Sequence, residues 1–216
     1  MFVPATPVQP APALAQVGVV PAVQVSLQAE PVATKLEVRR EQLNVLENHA
    51  TSIAGKLLEG HRPSRAGRAV ALQTLTGHGW RSVAWGRTGR RGRFDIVFTP
   101  RRLGSRLLRL RFRGNSTVSS SLRRLGRMTV YRLALASWYG GGGGLACGGQ
   151  LTSSTMGVAN KTLPCGTMVT LRYGGRSVRV PVVDRGPYVE GREYDLTEAT
   201  ARAVGFGGVG EVWSTH

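Results

Sequence analysis

Near the C-terminus, the run Val182-Val183-Asp184-Arg185-Gly186-Pro187-Tyr188 sets a carboxylate at the end of a β-branched stretch. Gly186 tolerates positive φ and Pro187 fixes its own, so Asp184 stands on a stiff corner. On sequence alone two roles stay open for it: taking a proton from, or hydrogen-bonding to, a ligand, or capping backbone N–H groups of its loop. Arg185 beside it favours the ionised form, which suits a base better than an acid. Cys147 and Cys165, 18 positions apart, are the only cysteines. Two cysteines without a nearby His make a poor zinc site, which wants four ligands, so no metal is expected, and nothing calls for another cofactor. A disulfide closing that loop would contribute about 3 kcal/mol and imply an oxidising compartment; the alternative is two buried free thiols. The glycine run 140–144 lacks a Gly-Lys-Ser/Thr ending, so it reads as a flexible rim loop rather than a phosphate loop.

The elements around these residues follow from periodicity. Strands are expected over 168–173 and 177–183, joined by Gly174-Gly175, the sign of a tight hairpin. In Tyr194-Asp195-Leu196-Thr197-Glu198, Asp195 and Glu198 have the spacing of a capping box. A short helix then presents Leu196, Ala199, Thr200, Ala203 and Val204 on one face and stops at Gly205. A last strand over 210–215 closes this part.

Upstream, residues 1–40 carry Pro4, Pro7, Pro10, Pro12, Pro21 and Pro31 among Ala, Val and Gln, a composition expected to lack regular structure. This is no intact signal peptide, although Ala13-Leu14-Ala15 resembles a cleavage site, and a true start further upstream is one expectation. Over 41–132, strands are expected at 43–48, 52–57, 69–75, 80–85, 94–98, 107–112 and 128–132, enough for a β-sandwich. The clearest is Arg109-Leu110-Arg111-Phe112-Arg113, with two apolar residues on one face and three arginines on the other. Trp80, Trp85, Phe94, Phe98 and Phe112 fall at strand positions that core packing explains.

The formal charge is +17, and its distribution is uneven: 22 Lys+Arg face 6 Asp+Glu in residues 1–132, against 7 and 6 in 133–216. Such a basic half is drawn to polyanions. Without a recognition helix, zinc ligands or an exposed aromatic and basic strand face, nucleic acid is not the expected partner. No apolar run reaches the ~18 residues that a transmembrane helix needs.

Four motifs occur in a fixed order: Ala136-Ser137-Trp138-Tyr139-Gly140, Asn160-Lys161-Thr162-Leu163-Pro164, Asp184-Arg185-Gly186-Pro187 and Tyr194-Asp195-Leu196-Thr197. Residues 133–216 thereby resemble the rare lipoprotein A (RlpA) family, whose double-psi β-barrel is shared with expansins and barwin-like proteins. That family includes lytic transglycosylases acting on peptidoglycan. More loosely, the rhythm of 41–132 is similar to the immunoglobulin-like accessory domains of bacterial surface proteins.

The resemblance implies an all-β chain, an immunoglobulin-like sandwich over 41–132 followed by a six-stranded double-psi β-barrel with one short helix over 133–216. It implies an exported bacterial envelope protein that binds peptidoglycan glycan strands, with acidic wall polymers as further partners of the basic sandwich. The catalytic Glu of the family falls on Gly149 or Gln150 here and its His on Asn160, so Asp184 alone is retained. Gln150 can hydrogen-bond a sugar but cannot transfer a proton at neutral pH. Binding without cleavage is therefore expected, with an endolytic transglycosylase using Asp184 as the alternative. The expected substrate-binding residues are Gln150, Asn160, Tyr139, Arg185 and Tyr188, with Trp138 beside them.

Overall fold

Period-two alternation becomes strand almost everywhere it was found. The structure, a computed structural model, describes residues 1–2 and 29–216. Among these residues it is all-β with a single α-helix, and no helix is long and apolar enough to cross a membrane. The expectation for residues 1–40 lies outside the described residues over 3–28.

The first half comprises β1 (Thr34–Glu41), β2 (Asn44–Leu46), β3 (Thr51–Glu59), β4 (Arg62–Pro63), β5 (Ala69–Thr76), β6 (Gly79–Arg87), β7 (Arg93–Phe98) and β8 (Gly104–Phe112). One sheet is centred on β3, which pairs with β1, β4 and β7; opposite it run β6, β5 and β8 in that order. Leu36, Ile53, Leu57 and Ile96 from the first sheet meet Leu72, Leu108 and Leu110 from the second in one core. Fully burying each such side chain is worth about 1.5–3 kcal/mol. In β8, Leu110 and Phe112 point into this core and Arg111 out of it.

The second half comprises β9 (Ser121–Tyr139), β10 (Gly143–Gly144), β11 (Gln150–Leu151), β12 (Val158–Ala159), β13 (Met168–Tyr173), β14 (Arg176–Asp184), β15 (Tyr194–Thr197), α1 (Glu198–Val204) and β16 (Gly210–Ser214). Strands β9, β16, β13, β14, β12 and β15 follow one another in the sheet, and β15 pairs back onto β9, closing a ring of six. Ala134, Ala136, Val158, Val182, Leu196 and Val212 fill its interior. The β13–β14 hairpin turns on Gly174 and Gly175, at φ 53° and 85°, a double left-handed turn that side chains resist.

One expectation changes. Thr34–Glu41 is a strand although it was included in the stretch without regular structure. The prolines end at Pro31, and Leu36 beyond them is buried against β3, whose residues 53–59 pair along β1. The two halves are joined at 132/133 by a continuous strand. β9 runs 19 residues through that point, pairing with β2 and β8 in its first part and with β15 and β16 in its second. Tyr131 sits at the crossing, 1% exposed, its hydroxyl donating to Asn44 Oδ1 at 3.1 Å and its ring 5.7 Å from Trp213.

Candidate functional site

Val180 and Val182 of β14 take the inner face of the barrel, and strict alternation would turn Asp184 inward as well. The register with β12 slips between Val182 and Asp184, leaving Val183 as an extra residue, and this bulge sets Asp184 opposite Ala159 on the outer face. Its Oδ1 accepts two backbone N–H groups, from Ala146 at 2.9 Å and Arg185 at 2.8 Å. Oδ2 has no protein hydrogen bond among the described residues. Of the two roles left open by the sequence, one oxygen thus fills the capping one, pinning the corner.

The pairing register shows what surrounds it. Ala159 of β12 lies opposite Asp184 on one side and Asp195 of β15 on the other, and Asp195 lies opposite Ser137 of β9. With the intervening residue reduced to a methyl group, two carboxylates share one face two strand spacings apart, roughly 10 Å between their backbones. Asp195 Oδ1 accepts the Ser137 hydroxyl at 2.7 Å, and Ser137 Oγ accepts from Arg192 Nη1 at 2.9 Å. Tyr139, two residues along β9 from Ser137, points the same way. Its hydroxyl is buried without a hydrogen-bond partner among the described residues. Burial pushes the phenol pKa up, and the negative charges of Asp184 and then Asp195 push it further. Tyr139 therefore keeps its proton: its O–H lies outside good hydrogen-bond geometry, yet near enough to the Asp184 carboxylate for a bond between them to favour the neutral phenol.

The other expected ligand residues are placed differently. Asn160 is 7% exposed, and its Oδ1 accepts from the N–H groups of Thr162 and Leu163 while Nδ2 donates to the Glu193 carbonyl. It closes the turn after β12. Arg185 turns its guanidinium inward to the carbonyls of Asn160 and Leu163 and to Cys165 Sγ. Gln150 is exposed in β11, paired with Gly144. Tyr188 stands 82% exposed just beyond the corner, and Trp138 is 44% exposed. Structure thus brings Asp184, Tyr139 and Asp195 together, and uses Asn160 and Arg185 to hold the loop.

The Cys147–Cys165 disulfide is formed, next to Ala146 and against Arg185. The capping box is not. Asp195 lies within β15 and the N-cap is Thr197, without a side-chain capping bond. Pairing with both β9 and β12 extends the backbone through Thr197, so Asp195 is in a strand where a cap's geometry cannot form. On α1, Ala203 is exposed and Ala201 buried, while Gly205 ends the helix at φ 72°.

α1 is fastened to the site through Gly157, whose N–H and carbonyl hydrogen-bond the fully buried hydroxyls of Thr197 and Thr200. A Cβ on Gly157 would collide with both methyl groups of Val183, the neighbour of Asp184. Gly157→Ala is expected to lower stability by about 2 kcal/mol through overpacking, measured by urea unfolding.

Residues 133–213 match the family described as Lytic transglycolase. This segment is an RlpA-like double-psi β-barrel. It is similar to the "Probable endolytic peptidoglycan transglycosylase RlpA" of Aquifex aeolicus, with 42% identity over 80 residues, 35% of this chain and 35% of the relative. The Synechocystis protein of the same description is 42% identical over 93 residues, 39% of this chain and 29% of that one. The match thus spans about a third of the length of these relatives. Among solved structures, the Streptomyces papain inhibitor aligns with 39% of this chain and 92% of its own at 25% identity, with a TM-score of 0.33.

Within the RlpA-like barrel, sequence reasoning missed Asp195 as a site residue. Its capping pattern is local, whereas its place opposite Ala159 depends on strands 36 positions apart in sequence. The one usable signal was Ala159 itself, a small residue following Val158 and preceding the motif at Asn160.

Proposed function

We propose that the barrel binds peptidoglycan glycan strands across the face bearing Asp184, Tyr139 and Tyr188, in an exported cell-envelope protein, and holds them without cleavage. What carries this reading is the division of labour at Asp184. One oxygen is fixed by two N–H groups and the other is open to sugar hydroxyls, beside a phenol that can donate but not release its proton. Cleaving a glycosidic bond needs an acid to protonate the leaving oxygen and a base to take the proton of the attacking sugar hydroxyl. Gln150 cannot transfer a proton at neutral pH, and Asn160 is consumed by its turn. The disulfide supports an oxidising compartment.

A second reading, an endolytic peptidoglycan transglycosylase using Asp184, is favoured by the pair of carboxylates flanking Ala159 and by the names of the relatives. Incubation with purified sacculi and mass spectrometry of the soluble fraction separates the two. Retention on sacculi with no released sugar is expected. Anhydro-muropeptides that vanish in Asp184→Asn would replace binding by transglycosylation.

A further inference from the structure

A groove of about 620 Å³ lies in the sandwich half, far along the fold from Asp184. Val83 and Trp85 of β6 and Val97 of β7 supply apolar surface to it, and all three are strongly exposed, Trp85 by 54% and Val97 by 62%. The placement of Trp85 corrects the sequence expectation: Phe94 and Phe112 are core residues, but Trp85 is not. Arg81, Arg101 and Arg102 line the same groove, and no carboxylate does. Among the described residues, none of these three guanidinium groups has an ion pair or side-chain hydrogen bond. Arg106 beside them is turned onto the carbonyls of Arg102 and Leu103.

An exposed indole next to uncompensated guanidinium forks specifies a ligand with two properties. The indole face offers a stacking surface for the C–H face of a sugar ring. The arginines offer forked donors for carboxylate or phosphate. A polyanion also satisfies the charge of the whole half, whereas a second copy of this basic chain would be repelled. An acidic peptide is the other extended anion to weigh, and β6 is the outer strand of its sheet, the place where a peptide strand would add. However, the β5–β6 register shifts between Leu72 and Gln73, leaving Val83 as an unpaired bulge in the middle of β6. A bulge bends and twists the edge and interrupts the row of hydrogen-bonding groups that strand addition needs.

We infer that this groove is a binding site for a linear anionic glycan, stacked on Trp85 and held by Arg101 and Arg102, independent of any ligand at Asp184. The test is titration of the full chain at 150 mM salt with polygalacturonate, its methyl ester, poly(glycerol phosphate), poly-glutamate and a single-stranded oligonucleotide of matched charge. Polygalacturonate is expected to bind at least tenfold more tightly than its uncharged ester and than poly-glutamate or the oligonucleotide. Poly(glycerol phosphate), which carries the charge but no sugar ring, should bind at least fivefold more weakly than polygalacturonate, and equal affinity would overturn stacking on the indole. Arg101→Gln with Arg102→Gln should cost at least tenfold, and Trp85→Ala at least fivefold. Arg90→Gln with Arg93→Gln, which removes equal charge from exposed residues of the same half that line neither this groove nor the surface around Trp85, should change binding less than twofold. Equal losses in the two arginine pairs would overturn the site, as would unchanged binding by Trp85→Ala; equal affinity for poly-glutamate or the oligonucleotide would overturn the glycan.

Discussion

Asp184→Asn is expected to weaken retention of the protein on sacculi by tenfold or more while lowering stability by about 1 kcal/mol or less. The two numbers separate because the two carboxylate oxygens do different things. An amide oxygen placed at Oδ1 still accepts the N–H groups of Ala146 and Arg185, so the corner keeps both bonds. What is lost is the charge at Oδ2. A hydrogen bond from a sugar hydroxyl to a charged acceptor contributes about 1.5–3 kcal/mol, and each 1.4 kcal/mol is a factor of ten in affinity. Asp184→Ala removes both functions, and should add a loss of about 2 kcal/mol in stability from the two orphaned donors. Sedimentation with sacculi and urea unfolding of the two variants measure this directly. Binding that survives Asp184→Asn but falls in Asp184→Ala only as far as the fold is lost would make the carboxylate purely structural.

Replacing Cys147 and Cys165 together by serine should lower stability by about 3 kcal/mol, the loop-closure value for a crosslink of this span. For a chain of this length that corresponds to a fall in Tm of roughly 6–12 °C, which reductant should reproduce on the wild type. The effect on binding is expected to exceed the effect on overall stability at temperatures where the variant is still folded. Cys147 follows Ala146, whose N–H fixes Asp184, and its own N–H reaches the Val183 carbonyl at 3.2 Å. Cys165 accepts from Arg185, the other residue holding that oxygen. Releasing the crosslink frees both sides of the Asp184 cradle at once. Differential scanning calorimetry and sacculus binding, each with and without reductant, check the two parts; an unchanged Tm on reduction would exclude the crosslink as a stabiliser.

Where side-chain pattern and backbone demand coincide, the fold was legible. Leu110 and Phe112 alternate with arginines and are buried as the alternation requires, and Gly174-Gly175 sit in the left-handed turn that only such a pair accepts readily. The barrel was legible through its four motifs, and Asp184 through its stiff corner. What escaped depended on partners distant in sequence. Thr34–Glu41 follows a proline-rich stretch and becomes a strand because β3 lies ready to pair with it. Asp195 carries a good helix-start pattern, but two strands on either side claim its backbone first. Trp85 sits at a strand position of ordinary alternation, and only the register, which pairs it with Ala71 on the face of Arg111 while Ala84 faces Leu72, shows that it lies outside the core. Asn160 and Arg185, chosen as ligand residues by position in a motif, show the converse: their polar groups are spent on backbone carbonyls and N–H groups.

The continuity of β9 has a mechanical meaning. Met128 of this strand lines the sandwich groove and Tyr139 stands at the barrel face, 11 residues further on, so at about 3.3 Å per residue one rod of at most roughly 36 Å joins the two places. Two modules on a flexible tether sample many separations, and the second contact is diluted accordingly. A shared strand, hydrogen-bonded to neighbours on both sides, allows one separation only. Polymers engaged at both ends would be held at a set spacing, making the chain a strut whose length is written in the residue count of a single strand.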